Sequence, residues 1–237
     1  NQFTAPVYNA DGSYFFPTGL VPVNPSFRSG INIMASDAQS FYNSFLLTAD
    51  TRLSRSLTLR ASYTYSKSID DASNIGTSAS AQQYGPDRAL DRSLSDFDNR
   101  QRLSGSFFYN LPALKGQTGL KSVGAQVVGG WRIGGIMSIR TSTPTTAKIT
   151  VRRTGYLFAA VRPNVVPGES NNPIHGPSIG CTNPDGSTFI EAGRKIEGPE
   201  LFYDPCVFTI PPAGTVGNLG RNTLFGPSIV NLDISLQ

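Results

Sequence analysis

Residues Ser56–Ser66 read SLTLRASYTYS, and apolar and polar side chains alternate along this stretch without a break. Successive side chains of a β-strand point to opposite faces, so this alternation predicts a strand with one apolar and one polar face. The apolar face carries Leu57, Leu59, Ala61, Tyr63 and Tyr65, and the polar face carries Thr58, Arg60, Ser62 and Thr64. Strands in soluble proteins are mostly about 5–6 residues long. This one, at about 3.3 Å per residue and a tilt near 45°, would span roughly 25 Å, the height of the apolar band of a transmembrane barrel.

Four further segments repeat the alternation and predict four more long strands. They are Phe45–Leu53, Arg102–Leu111, Trp131–Arg140 and Val230–Gln237, and a weaker run at Ile31–Ala35 suggests a sixth, shorter strand. Sequential strands of an antiparallel sheet usually lie side by side, so we expect Ser56–Ser66 to pair with Arg102–Leu111. Seven apolar side chains should then share one side of the sheet: Leu57, Leu59, Ala61, Phe107, Ile133, Ile139 and Leu232.

The connections between these strands alternate in length. Ser54–Ser56 is a tight hairpin and Pro112–Gly130 is a moderate turn, whereas Lys67–Asp98 and Thr143–Gly226 are long. Outer-membrane barrels have short periplasmic turns and long extracellular loops. The predicted fold is therefore all-β, an antiparallel meander of long strands within a large transmembrane β-barrel with long extracellular loops. The predicted location is the cell outer membrane of a Gram-negative bacterium, with outer-membrane lipid as a partner.

Aromatic side chains agree with this orientation. Tyr63 and Tyr65 fall at the outer end of their strand, and Tyr109 and Trp131 fall at the inner ends of theirs. Barrels carry aromatic girdles at both membrane interfaces. These four residues are the predicted girdle.

Four arginines, Arg60, Arg102, Arg132 and Arg140, fall on the polar faces of the predicted strands. An arginine held against lipid at the bilayer midplane costs about 2–4 kcal/mol. We therefore expect all four to face the lumen, close to Asp50 or Asp233 or toward the space that a plug would occupy. Because they lie on wall strands away from the loop tips, the role expected for them is structural or in docking the plug, ahead of direct contact with the solute.

The amino-acid composition is compatible with a loop-rich all-β protein that does not bind nucleic acid. Charged residues make up 15% of the chain, below the roughly 25% of ordinary soluble domains, and 24 glycines and 17 prolines fit a loop-rich all-β chain. The net charge of +4 is spread along the chain, so we expect no nucleic-acid partner. Five or six strands are too few to close a barrel, which takes at least about 8, so we expect the chain to be part of a longer protein.

Four blocks of the sequence resemble the barrel of TonB-dependent outer-membrane receptors of the Oar-like type, which carry a carboxypeptidase-regulatory-like domain. The blocks are Tyr42–Ser73, Asp91–Pro112 (DRSLSDFDNRQRLSGSFFYNLP), Gly129–Pro144 (GGWRIGGIMSIRTSTP) and Gly217–Leu236 (GNLGRNTLFGPSIVNLDISL). Their order and spacing are similar to those in the C-terminal portion of that barrel. By this resemblance, residues 1–237 are a partial barrel from which the plug and the N-terminal regulatory-like domain are absent.

The resemblance implies a function for the full protein. Such receptors close a barrel of about 22 strands around a plug. Through the plug they contact an energy-coupling protein of the inner membrane, and they import a scarce solute. The solute here is unknown, because the plug apices and outer loops decide specificity in these receptors.

The two cysteines, Cys181 and Cys206, both fall in the last long loop. Outside the cell, two cysteines in turn-like contexts predict a disulfide, with two unrelated free thiols as the alternative. In the chain-entropy model, a bridge closing a loop of this length stabilises the fold by about 3 kcal/mol.

Other polar residues could either bind a metal ion or have only a structural role. Four aspartates, Asp87, Asp91, Asp96 and Asp98, offer oxygen ligands for calcium. Arginines at 88, 92, 100 and 102 are interleaved with them, which favours a network of salt bridges. His175, the lone histidine, has no metal-ligand spacing around it and is predicted to be a solvated loop residue.

No catalytic, cofactor or metal site is predicted, and the chain is not expected to be an enzyme. The alternative function is that of a secreted or surface-exposed all-β binding module, adhesin-like in character. A soluble β-sandwich also has alternating strands, so the alternation by itself does not separate the two readings.

Overall fold

The computed structural model describes residues 7–10, 13–17, 36–73, 83–84, 87–112, 130–149 and 162–237. The strands in chain order are β1 (Val7–Tyr8), β2 (Tyr14–Phe15), β3 (Ser40–Arg52), β4 (Leu57–Asp70), β5 (Ser93–Leu94), β6 (Gln101–Asn110), β7 (Arg132–Arg140), β8 (Pro144–Thr145), β9 (Asn164–Val165), β10 (Cys181–Thr182), β11 (Thr188–Ile190), β12 (Phe208–Thr209), β13 (Leu224–Phe225) and β14 (Ile229–Leu236). Single 3₁₀ turns cover Arg88–Asp91 and Pro205–Val207. Over the described ranges, neither these turns nor any other helix has the length and apolar character needed to cross a membrane. The weak strand expected at Ile31–Ala35, and residues 113–129 of the turn at Pro112–Gly130, lie outside the described residues.

The five long strands form one sheet in the order β14-β7-β6-β4-β3. We call it the wall sheet. β4 pairs antiparallel with β6, as the meander predicted, and Leu59 lies opposite Phe107. β6 pairs in turn with β7, and β7 with β14, both antiparallel. The all-β antiparallel fold class predicted from the sequence is confirmed.

Two wall strands are longer than their alternation indicated. β3 begins at Ser40, before Phe45, and β4 ends at Asp70, beyond Ser66. The added end of β4 pairs with β5, where Ile69 lies opposite Leu94. This end of β4 has polar residues on both faces, so its sequence shows no alternation. It still forms a strand, because backbone pairing does not require an apolar face.

The wall sheet has the two faces that the sequence predicted. Residues directly opposite in register point to the same side of a sheet. The registers β4–β6, β6–β7 and β7–β14 therefore place the seven predicted apolar residues on one side: Leu57, Leu59, Ala61, Phe107, Ile133, Ile139 and Leu232. The same registers place the four arginines on the other side.

The apolar face is exposed along the last strand. Val230, Leu232, Ile234 and Leu236 are 58–66% exposed. Contiguous apolar surface of this kind marks contact with lipid or with another protein. This exposure agrees with the face that the barrel prediction turns toward lipid.

The remaining segments form a second compact unit of residues 1–41, 68–97 and 144–226, which we call the loop unit. Four two-stranded ribbons lie within it, namely β1–β2, β8–β13, β9–β12 and β10–β11. Its buried apolar core contains Phe16, Ile190, Ile196, Cys206, Val207, Leu219 and Leu224. All of these except Phe16 belong to the last long predicted loop, whereas the loop at Lys67–Asp98 contributes buried polar residues such as Asp91.

Candidate functional site: the buried network of the loop unit and the polar face of the wall sheet

Arg221 lies at the centre of a buried polar network in the loop unit. Its side chain is 10% exposed. Its Nε donates to the carbonyl of Asp91 at 2.8 Å, and its Nη2 donates to the carbonyl of Asp70 at 2.7 Å. Nη2 also pairs with the Asp70 carboxylate, and Nη1 donates to Ser73 Oγ at 3.0 Å. One guanidinium therefore joins the end of β4, the 3₁₀ turn and the segment before β13.

A second buried ion pair lies beside it. Arg162 Nη1 donates to Asp91 Oδ1 at 2.8 Å, and Arg162 Nη2 donates to the carbonyl of Leu90 at 2.7 Å. The other Asp91 oxygen accepts from the backbone N–H of Gln83 at 3.0 Å. Burial raises the pKa of Asp91, although Arg162 and this N–H act in the opposite direction. Burial likewise lowers the pKa of Arg162, against the attraction of Asp91. Each charge depends on its partner, because a buried charge left alone is costly.

Asn222 extends the network to β8 and β5. Its Nδ2 donates to the carbonyl of Leu94 at 2.8 Å and to Asp96 Oδ1 at 2.6 Å. Its Oδ1 accepts from Thr146 Oγ1 at 2.8 Å. The backbone of Asn222 has φ +55°, a left-handed conformation that asparagine tolerates better than most residues. The Asn222 side chain thus bonds to three residues, and its residue type suits the left-handed backbone at this position.

The predicted salt-bridge network therefore exists, but most of its partners differ from those suggested by the sequence. Of the interleaved pairs, Asp98 and Arg100 meet at 3.5 Å. Arg88 instead pairs with Asp37 and approaches Asp71 at 3.8 Å. Asp91 and Asp96 are paired with arginines of the last long loop, 71 or more residues away, and Arg102 lies on the wall sheet. Within the described ranges, no three histidine, cysteine, aspartate or glutamate side chains are grouped to hold a metal ion.

Asp87 has a separate role at the start of the 3₁₀ turn. Its Oδ1 accepts from the backbone N–H of Ala89 at 3.0 Å, and its Oδ2 accepts from Tyr14 Oη at 2.7 Å. The hydrogen bond to this carboxylate raises the pKa of Tyr14 to about 12, because ionising the phenol would break the bond and set two negative charges side by side. The Tyr14 ring also contacts the Tyr84 ring, with ring centroids 5.3 Å apart and the two planes tilted by 52°.

The predicted disulfide between Cys181 and Cys206 is present, with an S–S distance of 2.06 Å. Asp204, which the sequence analysis missed, holds the surrounding loop. Its Oδ1 accepts from the Cys206 N–H at 3.0 Å and from Ser178 Oγ at 2.9 Å, and its Oδ2 accepts from the Ile179 N–H at 2.8 Å. The signal was an aspartate directly before a proline, which is the pattern of a capping residue followed by the first residue of a helical turn.

His175 lies on the surface of the loop unit, as predicted. Its side chain is 80% exposed, and its Nδ1 contacts the Glu197 carboxylate. An exposed pair of this kind contributes little to stability.

The four predicted lumen arginines lie on the polar face of the wall sheet, and their neighbours there differ. Arg60 Nε pairs with Asp50 at 2.9 Å, which is one of the two partners that the sequence suggested. Arg132 Nε donates to Asn110 Oδ1 at 2.9 Å. Arg102 lies directly opposite the fourth, Arg140. Near the Arg60–Asp50 pair, Thr48, Ser62, Ser104 and Ser106 are among the residues that line an open depression.

The predicted girdle residues lie at opposite ends of the wall sheet. Tyr63 and Tyr65 pair with Leu103 and Gln101 near the start of β6, whereas Tyr109 lies at its far end. Trp131 lies at that far end too, since its carbonyl accepts from the Leu111 N–H at 2.8 Å. Tyr63 Oη donates to Gln101 Oε1 at 3.3 Å, so a polar contact lies beside the apolar face. This arrangement agrees with the girdle, whose depth in the membrane stays a prediction.

Comparison with known protein families identifies one that matches the chain. The family described as "Outer membrane beta barrel domain" matches residues 3–237. No curated protein and no solved structure matches the chain significantly. The family match agrees with a sheet of long strands that has one exposed apolar face and one polar face. The chain therefore belongs to the outer membrane beta barrel domain family, and it is an outer-membrane barrel protein of a Gram-negative bacterium.

Proposed function

We propose that the chain is the C-terminal portion of the barrel of a TonB-dependent receptor of the Oar-like type. The full protein would import a scarce solute across the outer membrane. Energy would come from a coupling protein of the inner membrane, which would be contacted through a plug outside residues 1–237. The chain itself would form wall and outer loops, with no catalytic role.

The proposal rests on the positions of the four receptor-like blocks in the structure. Tyr42–Ser73, Asp91–Pro112, Gly129–Pro144 and Gly217–Leu236 contain four of the wall strands in full and most of β3. The same blocks also contribute Asp70, Asp91, Arg221 and Asn222 to the buried network. Residues that resemble one family in sequence thus assemble into one sheet and one network.

The loop unit supports a role in solute capture. Two long extracellular loops would be expected to be mobile if they were merely connections. Here the last loop contains most of the buried apolar core and a disulfide, and the buried Arg162–Asp91 ion pair joins it to the other loop. A rigid outer surface lowers the ordering cost of binding, which favours capture of a scarce solute.

The experiment uses the full-length gene expressed in a Gram-negative host. An in-frame deletion of the plug-coding region should turn a closed receptor into an open pore. The readout is sensitivity to vancomycin, which is too large for ordinary porins. We expect the deletion strain to become sensitive while the wild-type strain stays resistant, at equal barrel levels in the outer membrane.

A second measurement addresses energy coupling. Purified full-length protein in detergent should retain the periplasmic domain of the host's energy-coupling protein on an affinity column, and the plug-deleted protein should not. A gene without a plug region, or a wild-type strain as sensitive to vancomycin as the deletion strain, would contradict import of this type. The alternative of a surface-binding module predicts neither coupling nor a latent pore.

A further inference from the structure

Two of the four arginines on the polar face of the wall sheet have no partner in the described part of the chain. Arg60 pairs with Asp50, and Arg132 is hydrogen-bonded to Asn110. Arg102 and Arg140 are both exposed, and among the described residues neither guanidinium has an ion-pair or hydrogen-bond partner. Arg102 and Arg140 therefore differ from Arg60 and Arg132 in that their charged groups have no described partner.

Arg102 and Arg140 lie directly opposite each other in the pairing of β6 with β7. Side chains at such positions have Cβ atoms about 4.5–5.5 Å apart, and like charges there destabilise a sheet. The nearest carboxylates on the same face do not offset this repulsion. Asp50 is already paired with Arg60, and Asp233 is four residues along β14 from Ile229, the residue opposite Arg140. That separation is about 13 Å along the strand.

Three residues with hydroxyl groups lie near the arginine pair, although the neighbour of Arg140 in β14 is the apolar Ile229. Thr64 lies opposite Arg102 on the other side, in β4. Ser104 and Ser138 are opposite each other two residues further along β6 and β7, on the same face. Guanidinium groups only donate hydrogen bonds, and hydroxyls can donate as well. The patch thus presents donors and two positive charges without a described counter-ion.

We propose that Arg102 and Arg140 form a binding site for an oxyanion group, carboxylate or phosphate, of the solute that passes through the lumen. The inference rests on the proposed function and deepens it, since it names an anionic class of solute. The planar fork of arginine matches carboxylate and phosphate oxygens in a bidentate manner, so two adjacent forks can hold one anion between them. Ser104 and Ser138 would supply further donors toward the same group.

Binding is tested on the full-length protein in detergent at low ionic strength, where charge interactions are least screened. The probes are radiolabelled inorganic phosphate and radiolabelled succinate, measured by equilibrium dialysis. The variants are Arg102→Gln, Arg140→Gln and the double substitution. Arg132→Gln is the matched control, because it removes an arginine from the same face whose guanidinium already has a partner.

We expect the wild type to bind at least one probe, each single variant to bind it roughly tenfold more weakly, and the double variant to lose it. Arg132→Gln should bind as the wild type does. An absence of binding to the wild type, or an equal loss in Arg132→Gln, would overturn the proposal.

Stability separates a solute site from a contact with the plug. In buffer without phosphate or carboxylate, Arg102→Gln should raise the midpoint of denaturant unfolding, because it relieves the repulsion from Arg140. If a plug carboxylate occupied the site, the same substitution would lower that midpoint and the probes would not bind, which would also overturn the proposal. Neither readout involves energy coupling, so loss of the anion site would leave the import function standing, and failure of coupling would leave the anion site standing.

Discussion

The ring of Phe107 covers the backbone of Gly135 in the neighbouring strand. The two residues are directly opposite in register, and Cζ of Phe107 lies 2.7 Å from the position that a Cβ on Gly135 would occupy. On the other face, Cε1 of Phe108 lies 3.1 Å from the corresponding position at Gly134. Each glycine makes room for one ring, so this pair of contacts opposes any slip between β6 and β7. A slip by one residue would carry the arginines of one of the two strands to the lipid side.

Gly135→Ala should therefore destabilise the protein by about 1–3 kcal/mol, as expected when a side chain is forced into occupied space. Gly105→Ala is the matched control, because its Cβ would meet only the Arg60 carbonyl at an ordinary 3.4 Å. The measurement is the denaturant midpoint of the full-length protein in detergent. Adding Phe107→Leu to Gly135→Ala should recover part of the loss, and equal effects at both glycines would contradict this account.

Arg162→Ala should cost about 3–5 kcal/mol, because it leaves the Asp91 carboxylate buried without its charged partner. Arg60→Ala removes an exposed arginine from its pair with Asp50, so a loss of only about 0–1 kcal/mol is expected there. Hydrogen exchange should report the difference locally, with faster exchange at the Gln83 and Arg92 amides in the first variant. Unchanged exchange at these two amides would show that the loop unit does not depend on this pair.

Replacing both Cys181 and Cys206 by serine should remove roughly 3 kcal/mol of stability from the loop unit, because the bridge closes a loop with a sequence separation of 25. Limited proteolysis of whole cells is the appropriate assay, since the loops are predicted to be extracellular. We expect cleavage between the two positions to be faster in the double variant, and reductant to have the same effect on the wild type. Barrel levels in the outer membrane should stay equal, because the wall sheet contains neither cysteine.

The ionisation of Tyr14 should depend on Asp87. The Asp87 carboxylate raises the pKa of Tyr14 from 10.0 to about 12, so Asp87→Asn should return the titration of this tyrosine toward its ordinary range. For a group whose pKa is raised by folding, the contribution to stability is complete below pH 10 and is lost as the pH rises through about 12. An ultraviolet difference titration of the wild type against Tyr14→Phe isolates the one tyrosine. A Tyr14 pKa that Asp87→Asn leaves unchanged would contradict the assigned cause.

Local patterns in the sequence determined the wall sheet and its faces. The alternation from Leu57 to Tyr65 predicted the strand and the opposite faces on which Leu59 and Arg60 lie, and the order of the strands along the chain predicted its pairing with β6. A strand repeats every two residues, so the faces follow from neighbours in the chain. The two cysteines predicted the disulfide, which is present, and the loop lengths predicted which end faces outward, which stays a prediction.

Only the tertiary structure decided which charges meet. Asp91 pairs with Arg162, 71 residues away, and Arg221 reaches Asp70 from 151 residues away, whereas the sequence favoured arginines next to the aspartates. Separations of this length carry no periodic signal, because they depend on how two loops fold against each other. The direct opposition of Arg102 and Arg140 likewise depends on the register across the turn between β6 and β7. Alternation places both arginines on one face, but only the pairing of the two backbones sets them side by side.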